Sequence, residues 1–328
     1  MDQEIKKLNQ KSEAFASRID KIKKEVNNVI VGQQDMIEKF LIALIAGGHV
    51  LIEGVPGLAK TLMIKTLSDC IDSSFVRLQF TPDLLPADIT GTKIYDHKNS
   101  SFKTVKGPIF ANFVLADEIN RAPPKVQSAL LEAMQEKQVS IQGETIRLEK
   151  PFMVLATQNP IESEGTYRLP EAQLDRFMFK LLIGYPEKQD EVSIIDRFAK
   201  EIKAKASKII SPKNIIEMQQ FNRRIYADKK VKEYAAEIVD ASRYPDRYGL
   251  DIDGYIEYGA SPRASLWLVL AAKAHAMING RGYVKPEDIK AIAHDVLRHR
   301  ILLTYEAEAE DKTPDQIIDT ILEKVKVP

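Results

Sequence analysis

The chain predicts an α/β fold, a five-stranded parallel sheet flanked by helices, followed by an all-helical domain. Three observations carry this. From about residue 29 to residue 183, short apolar strands alternate with helical segments, the pattern of a parallel sheet crossed over by helices. The strands are near-continuous apolar runs, as expected when both faces of a sheet are covered. After Tyr185-Pro186 the strands stop and the spacing becomes helical. At 328 residues the length suits two domains, each large enough to bury its own core. The boundary is expected near residue 188, giving 1–188 and 189–328.

Residues 1–28 are polar and helix-prone, with Ile5, Leu8, Phe15, Ile19, Ile22 and Val26 at roughly helical spacing. They predict an N-terminal packing helix or two. Strands are expected at Val50–Glu53, Val76–Phe80, Phe113–Asp117, Phe152–Thr157 and Met178–Ile183. The alternation is interrupted by a loop-rich stretch over Pro82–Pro108, punctuated by Pro86, Gly91 and Gly107. A second excursion, Val139–Leu148, alternates apolar and polar about Gln142-Gly143-Glu144 and predicts a β-hairpin. In the second domain, Lys200, Lys203, Lys205, Lys208 and Lys213 punctuate a bridge that ends at Ser211-Pro212. The clearest helix there begins at Ser261 as N-cap with Pro262 first, and stops at Asn279-Gly280. Another begins at Pro286. There is no internal repeat and no low-complexity tract.

Composition narrows the function classes. Lys+Arg and Asp+Glu number 47 each, so no global field recruits nucleic acid or an anionic membrane. Hydrophobic residues make up 44% and charged residues 29%, the balance of a soluble globular protein. The longest uncharged apolar run, Phe40–Ile52, is too short to span a bilayer, and the first residues lack the apolar core of a signal peptide. Cys70 is the single cysteine, which excludes a disulfide framework or thiolate metal cluster. A cytoplasmic protein is the expectation.

The chemistry starts at Gly54-Val55-Pro56-Gly57-Leu58-Ala59-Lys60-Thr61, between the apolar run Val50–Ile52 and a segment with Leu62, Ile64 and Leu67. Strand, glycine turn and helix is the context in which backbone N–H groups and a helix N-terminus cradle phosphate oxygens. Lys60 would reach the terminal phosphates and the Thr61 hydroxyl would hold Mg²⁺. The strict pattern has glycine where this chain has Ala59, a residue that tolerates helical backbone. An acidic metal holder is supplied by Phe113-Val114-Leu115-Ala116-Asp117-Glu118. Asp117 would orient Mg²⁺, and Glu118 would take a proton from the attacking water; the alternative is a buried strand ending in solvated acids. The strand Met153–Thr157 runs into Gln158-Asn159-Pro160, where the Asn159 amide could orient water and phosphate, or form only a turn. Arg176, in Leu169–Phe177, reads equally as a surface charge or an ion-pair partner.

These pieces in this order resemble the AAA+ ATPases, and more narrowly the MoxR family. The resemblance runs through Val29–Gln33, Gly54–Thr61, Asp88–Gly91, Leu115–Asn120, Ala156–Pro160, Leu169–Phe177, Gly259–Ala264 and Val296–Ile301. It implies an AAA+ core with helix-2 and pre-sensor-1 insertions, at Pro82–Pro108 and Val139–Leu148, and a helical lid. It implies Mg²⁺-dependent ATP hydrolysis, with Val31-Gly32-Gln33 bracketing the adenine and Gly54, Pro56–Leu62 and Arg263 binding nucleotide. Asn159 matches the first sensor residue, Arg263 the second sensor arginine, and Arg176 the arginine finger inserted into the neighbouring subunit's site. Such a finger is worth about 10³–10⁵ in rate in other NTPases. It also implies a homo-oligomeric ring, of six subunits in the family, since the pocket and Arg176 lie on different surfaces and head-to-tail packing must close. A chaperone-like role in maturing or remodelling protein complexes follows, including metal-cofactor insertion, with partners carrying a von Willebrand factor A domain. Arg168 departs from the family's frequent proline, which touches only local loop shape or a subunit contact.

Other readings stay open. A nucleic-acid motor related to replicative helicases shares the core, but the neutral charge and absence of a basic, aromatic-interleaved tract oppose it. A magnesium-chelatase-type motor subunit shares the insertions, and a nucleotide-gated module would lack turnover. The five histidines have no metal-site spacing and read as solvated or core residues. Trp267 reads as the packed face of a helix, and the lysine bridge as a solvated face.

Overall fold

The computed structural model of the chain describes residues 2–54, 60–159, 166–199 and 206–328. Helix α1 (Asp2–Val29) is a single helix, and the stripe Phe15, Ile19, Ile22 and Val26 is buried along it. Helix α2 (Gln34–Ala46) ends at Gly47 and leads into β1 (Val50–Gly54). Then follow α3 (Lys60–Cys70), β2 (Phe75–Gln79), α4 (Pro86–Thr90), β3 (Gly91–Asp96) and β4 (Ser101–Lys106). Strand β5 (Phe113–Asp117), α5 (Pro124–Glu136), β6 (Gln138–Ile141), β7 (Glu144–Arg147) and β8 (Met153–Gln158) complete the middle of the chain. Short α6 (Glu171–Leu174), β9 (Phe179–Ile183) and α7 (Lys188–Ala199) close this half.

Strands β1, β2, β5, β8 and β9 form one five-stranded sheet in the order β2-β5-β8-β1-β9, with every pairing parallel. Side chains alternate across it, because successive residues of a strand point to opposite faces. Val50, Ile52, Phe113, Leu115, Met153 and Leu155 join one hydrophobic core. Leu51, Val114, Ala116, Val154 and Ala156 join the other, against α5. Strand ends differ by a residue from expectation, as at β2 and β8. The β6–β7 hairpin forms as expected, turning on Gln142 and Gly143, both at positive φ, which suits a tight two-residue hairpin loop.

Pro82–Pro108 is more ordered than the expected loop: it holds α4 and the antiparallel pair β3–β4, in register from Gly91↔Lys106 to Asp96↔Ser101. This hairpin packs little of its surface, with Phe102 71% exposed. A strand pair exposed on both faces needs no apolar alternation, so the pattern that reveals buried strands was absent.

The second half contains α8 (Pro212–Arg224), α9 (Lys229–Ala241), α10 (Pro262–Ile278), α11 (Pro286–Leu297), α12 (Tyr305–Ala309) and α13 (Pro314–Lys324). Helix α10 starts where expected, with the Ser261 hydroxyl accepting from the Arg263 N–H. One short antiparallel pair, β10 (Ile256–Tyr258) with β11 (Leu302–Leu303), joins the helices. The first core continues without a break from the sheet through α1 and α2 into α8–α11. Polar ties reinforce this contact: Gln219 donates to the Leu44 carbonyl at 2.8 Å, and Lys39 pairs with Asp295 at 2.6 Å. Among the described residues no helix is long and apolar enough to cross a membrane.

Candidate active site

Parallel strands put their carboxyl ends on one edge, and open α/β sheets bind ligands outside that edge. Here β1 ends at Gly54, β5 at Asp117-Glu118, and β8 at Gln158-Asn159. The registers Glu53↔Gln158 and Ala116↔Ala156 carry Gly54 beside Asn159 and Asp117 beside Thr157. Val55, Pro56, Gly57, Leu58 and Ala59 lie outside the described residues, as does Pro160; Gly54 and Lys60 on either side of the first gap are described. A Cβ on Gly54 would sit 2.7 Å from the Ile183 carbonyl oxygen of β9, so glycine here is already demanded by strand packing. Lys60 opens α3 and its ammonium donates to the Gly54 carbonyl at 2.7 Å. Burial lowers its pKa, while the negative charges of Asp117 and Glu118 oppose that shift. Thr61 and Leu62 follow in the first turn, half-buried, and Leu62 leans on the first core.

A single hydroxyl organises the two acids. Thr157 Oγ1 donates to Asp117 Oδ1 at 2.5 Å and accepts the Glu118 N–H at 2.9 Å. Arg77 Nη2 donates to Asp117 Oδ2 at 2.6 Å. Glu118 adopts left-handed backbone, φ 56°, a sparsely populated conformation for a residue with a side chain. Its Oε2 accepts from Gln79 at 2.7 Å and pairs with Arg121 at 3.1 Å. Thr157, Arg77, Gln79 and Arg121 were not singled out from sequence. The pairing of Gln79 with Asp117 across β2 and β5 is what brings two of them in, and no local pattern announces that strand order.

The donor set fits a hard cation: the Thr61 hydroxyl and the Asp117 carboxylate are oxygen ligands of the kind Mg²⁺ takes, alongside waters and substrate phosphates. Among the described residues no cluster of three or more acids, histidines or cysteines could hold a metal alone. Val31-Gly32-Gln33 turns sharply before α2. A Cβ at Gly32, φ 68°, would strike the Asp190 carboxylate of α7. Gln33 Oε1 is buried without a hydrogen-bond partner, an open acceptor on the segment expected to meet the base.

Lys60, Asp117 and Glu118 are thus brought together, with Asn159 at the same strand edge. The two arginines are held elsewhere. Arg176 Nη1 donates to the Leu131 carbonyl of α5 at 3.0 Å, beside a cleft of about 300 Å³ lined by Glu132, Gln135 and Glu136. Arg263 pairs with Asp175 at 3.2 Å. Arg168 is 82% exposed and faces Glu171 at 3.5 Å.

His49 is buried with its Nδ1 accepting the Val154 N–H and its Nε2 donating to the Met134 carbonyl. Burial, seconded by Lys137 and opposed by the bond to Met134, pushes its pKa down to about 4. Trp267 packs partly against the first core. Burial pushes the Cys70 thiol up to about 12, which keeps it unreactive. Of the lysine bridge, Lys200, Lys203 and Lys205 lie outside the described residues; Lys208 pairs with Asp72.

Residues 49–179 match the model of the ATPase family associated with various cellular activities (AAA), and residues 250–321 match the AAA lid domain. The chain is 47% identical over 305 residues to Chaperone MoxR1 of Mycobacterium tuberculosis, covering 93% of this chain and 81% of that protein. It is 45% identical to the uncharacterized protein YeaC of Bacillus subtilis, covering 94% and 95%. Protein MoxR of Methylorubrum extorquens is 29% identical, with 94% of each chain covered. A crystal structure of a candidate ATPase from Cytophaga hutchinsonii superposes with a TM-score of 0.93 at 50% identity, covering 99% of both chains.

Proposed function

The chain belongs to the MoxR family of AAA ATPases and is an ATP-hydrolysing enzyme, and from that premise we propose the residue roles, assembly and cellular task that follow. Residues 1–188 are the nucleotide-binding core and 189–328 the lid, although one apolar core runs through both. The Gly54–Thr61 turn and the start of α3 grip the phosphates through backbone N–H groups. Lys60 gives up its bond to the Gly54 carbonyl for the terminal phosphates. Thr61 and Asp117 hold Mg²⁺, which neutralises charge on the phosphate oxygens when bound. Glu118 leaves Gln79 and Arg121 to accept a proton from the attacking water, and Asn159 orients that water.

Val31 and Gly32 bracket the base, and Gln33 Oε1 offers an acceptor suited to the adenine amino group. Arg176 acts in the neighbouring subunit's site, and Arg263 acts on phosphates from the lid. A residue acting in trans requires head-to-tail packing and a closed ring, here of six subunits. The machine works in the cytoplasm as a chaperone that matures or remodels protein complexes, metal-cofactor insertion among its tasks. Its partners carry a von Willebrand factor A domain.

The observation that carries this reading is the placing of Lys60, Asp117 and Glu118 at the carboxyl edge of β1 and β5 in one parallel sheet, where the charges of both acids oppose the fall in the lysine pKa. The test is Glu118→Gln: ATP binding by calorimetry persists while phosphate release collapses. Preserved turnover defeats the assignment of the base. The same variant, locked with ATP, used as bait in the native cell identifies the client.

A further inference from the structure

Arg176 is bracketed by the lid. Its neighbour Asp175 is the point where three lid side chains converge on the core. Ser261 Oγ lies 2.9 and 3.0 Å from the two Asp175 carboxylate oxygens. Arg263 Nη1 donates to Oδ2 at 3.2 Å, and Arg300 Nε to Oδ1 at 2.7 Å. The Arg300 side chain is only 1% exposed. Its Nη2 donates to the carbonyls of Asp175 at 2.9 Å and Phe177 at 2.6 Å. One lid guanidinium therefore pins the backbone on both sides of residue 176.

The segment before it is lightly held by the core. Helix α6 buries no residue fully; Leu174 leans on the second core, Leu169 is buried in it, and Arg176 Nη1 donates to the Leu131 carbonyl. Phe177 is anchored in that core, and the backbone of Asp175 and Phe177 takes its side-chain hydrogen bonds from the lid. Beside the junction a cleft of about 540 Å³, lined by Glu171, Asp175, Tyr258, Ser261 and Arg300, leaves room for the contact to shift without overpacking.

We propose that Asp175 and Arg300 are positioning residues for Arg176, transmitting the lid position of one subunit to the arginine it offers to the next. Hydrolysis in each site is then set by the lid of its neighbour. This rests on the reading of Arg176 as a finger acting in trans. The lid end of α10 and the segment after α11 grip the same carboxylate, so a rotation of the lid drags residue 175 and re-aims residue 176. A displacement on the order of 1 Å at a catalytic group costs about 10²-fold in rate.

The test uses the full chain carrying Asp175→Asn. Turnover should fall by about 10- to 100-fold, the range expected of a misplaced catalytic group. The calorimetric affinity for ATP should change far less than turnover, and because Asp175 also holds Arg263, Arg263→Ala measured beside it gives that arginine's own part. Amide hydrogen exchange over residues 171–177 should quicken. Mixed with Glu118→Gln subunits, the variant should regain turnover, since its intact cleft then receives a well-held arginine from a subunit that cannot itself hydrolyse. A mixture of Arg176→Ala with Glu118→Gln is the control. If the control is rescued and the Asp175→Asn mixture is not, the positioning role is overturned while the finger stands. If the control fails, the reading in trans falls and takes this proposal with it. Should Asp175→Asn melt below assay temperature, Arg300→Lys, which keeps a charge opposite Asp175 but removes the fork bonded to the Asp175 and Phe177 carbonyls, decides by the same mixtures. Wild-type turnover in a folded Arg300→Lys with unchanged exchange overturns the proposal.

Discussion

Two acid–arginine pairs in this molecule have nearly the same separation and opposite consequences. At the strand edge, Arg77 reaches one oxygen of Asp117 at 2.6 Å, with the arginine 49% and the acid 19% exposed. In the lid, Arg281 grips both oxygens of Asp288, the shorter contact 2.5 Å, with the arginine 23% and the acid 1% exposed. Asp288 also takes bonds from His275 at 2.6 Å and from the Lys285 N–H at 2.7 Å. Its burial would raise the pKa, but the bonds from Arg281, His275 and Lys285 outweigh this and hold it down at about 2. An exposed pair contributes about 0–1 kcal/mol, so Asp117 can change partners at little cost. Breaking a buried pair costs about 3–5 kcal/mol, so Asp288 fixes the start of α11 and cannot move. Exchangeable bonds belong where chemistry occurs; closed ones belong where the lid must stay whole.

The comparison breaks if substitutions at the strand edge or at Arg176 act on stability, or if lid substitutions act first on chemistry. The largest effect is expected for Arg176→Ala, which should lower turnover by about 10³-fold or more with little change in melting temperature. Turnover should return in mixtures with Glu118→Gln subunits; no rescue at any ratio counts against action in trans. Glu118→Gln follows, with a loss of about 10²–10⁴-fold, the usual worth of a general base, and unaltered urea unfolding.

Asp288→Asn should instead cost about 3 kcal/mol of stability, read by urea unfolding at neutral pH. The depressed pKa of Asp288 means its stabilisation is complete above the unfolded-state value near 4 and is lost as pH falls toward about 2. The variant should lack that acid limb. His49 sharpens the same point at higher pH. Held neutral with a pKa of about 4, it contributes fully above pH 6.5 and loses its contribution as pH falls toward 4. Wild-type stability should drop by about 2 kcal/mol from this group between pH 7 and pH 5, and a flat profile there would be contrary. The smallest effect is expected for Arg77→Gln, at most about 1 kcal/mol; a larger loss would mean the strand-edge pair is structural after all.

Much of this was legible in the residues. The inner strands β1, β5 and β8 show because they are buried on both faces and written in apolar side chains, and the edge strands β2 and β9 show by their apolar residues although each is partly exposed. Helix α10 shows at both ends because Ser261, Pro262 and Gly280 satisfy or excuse backbone groups locally. The β3–β4 hairpin did not show, since exposed strands such as Ser101–Lys106 carry no burial pattern. Thr157, Gln79 and Arg77 did not show either. Each is an ordinary strand residue until β2, β5 and β8 are laid side by side.

What the chain's order of residues determined alone is the inventory: a glycine-containing segment before a helix, acids ending one apolar strand, an amide ending another, and a family signature across both halves. Such features are local, set by backbone conformation and by neighbours a few positions away. Only the tertiary structure decided which partner each group keeps. The β2-β5-β8-β1-β9 order joins residues 40 positions apart through the Thr157 hydroxyl, and the fold-back of the lid seats Arg300 on both sides of Arg176, 125 residues from Asp175. Contacts at that separation depend on strand order and on how helices pack against a sheet, and those are properties of the whole chain folded at once.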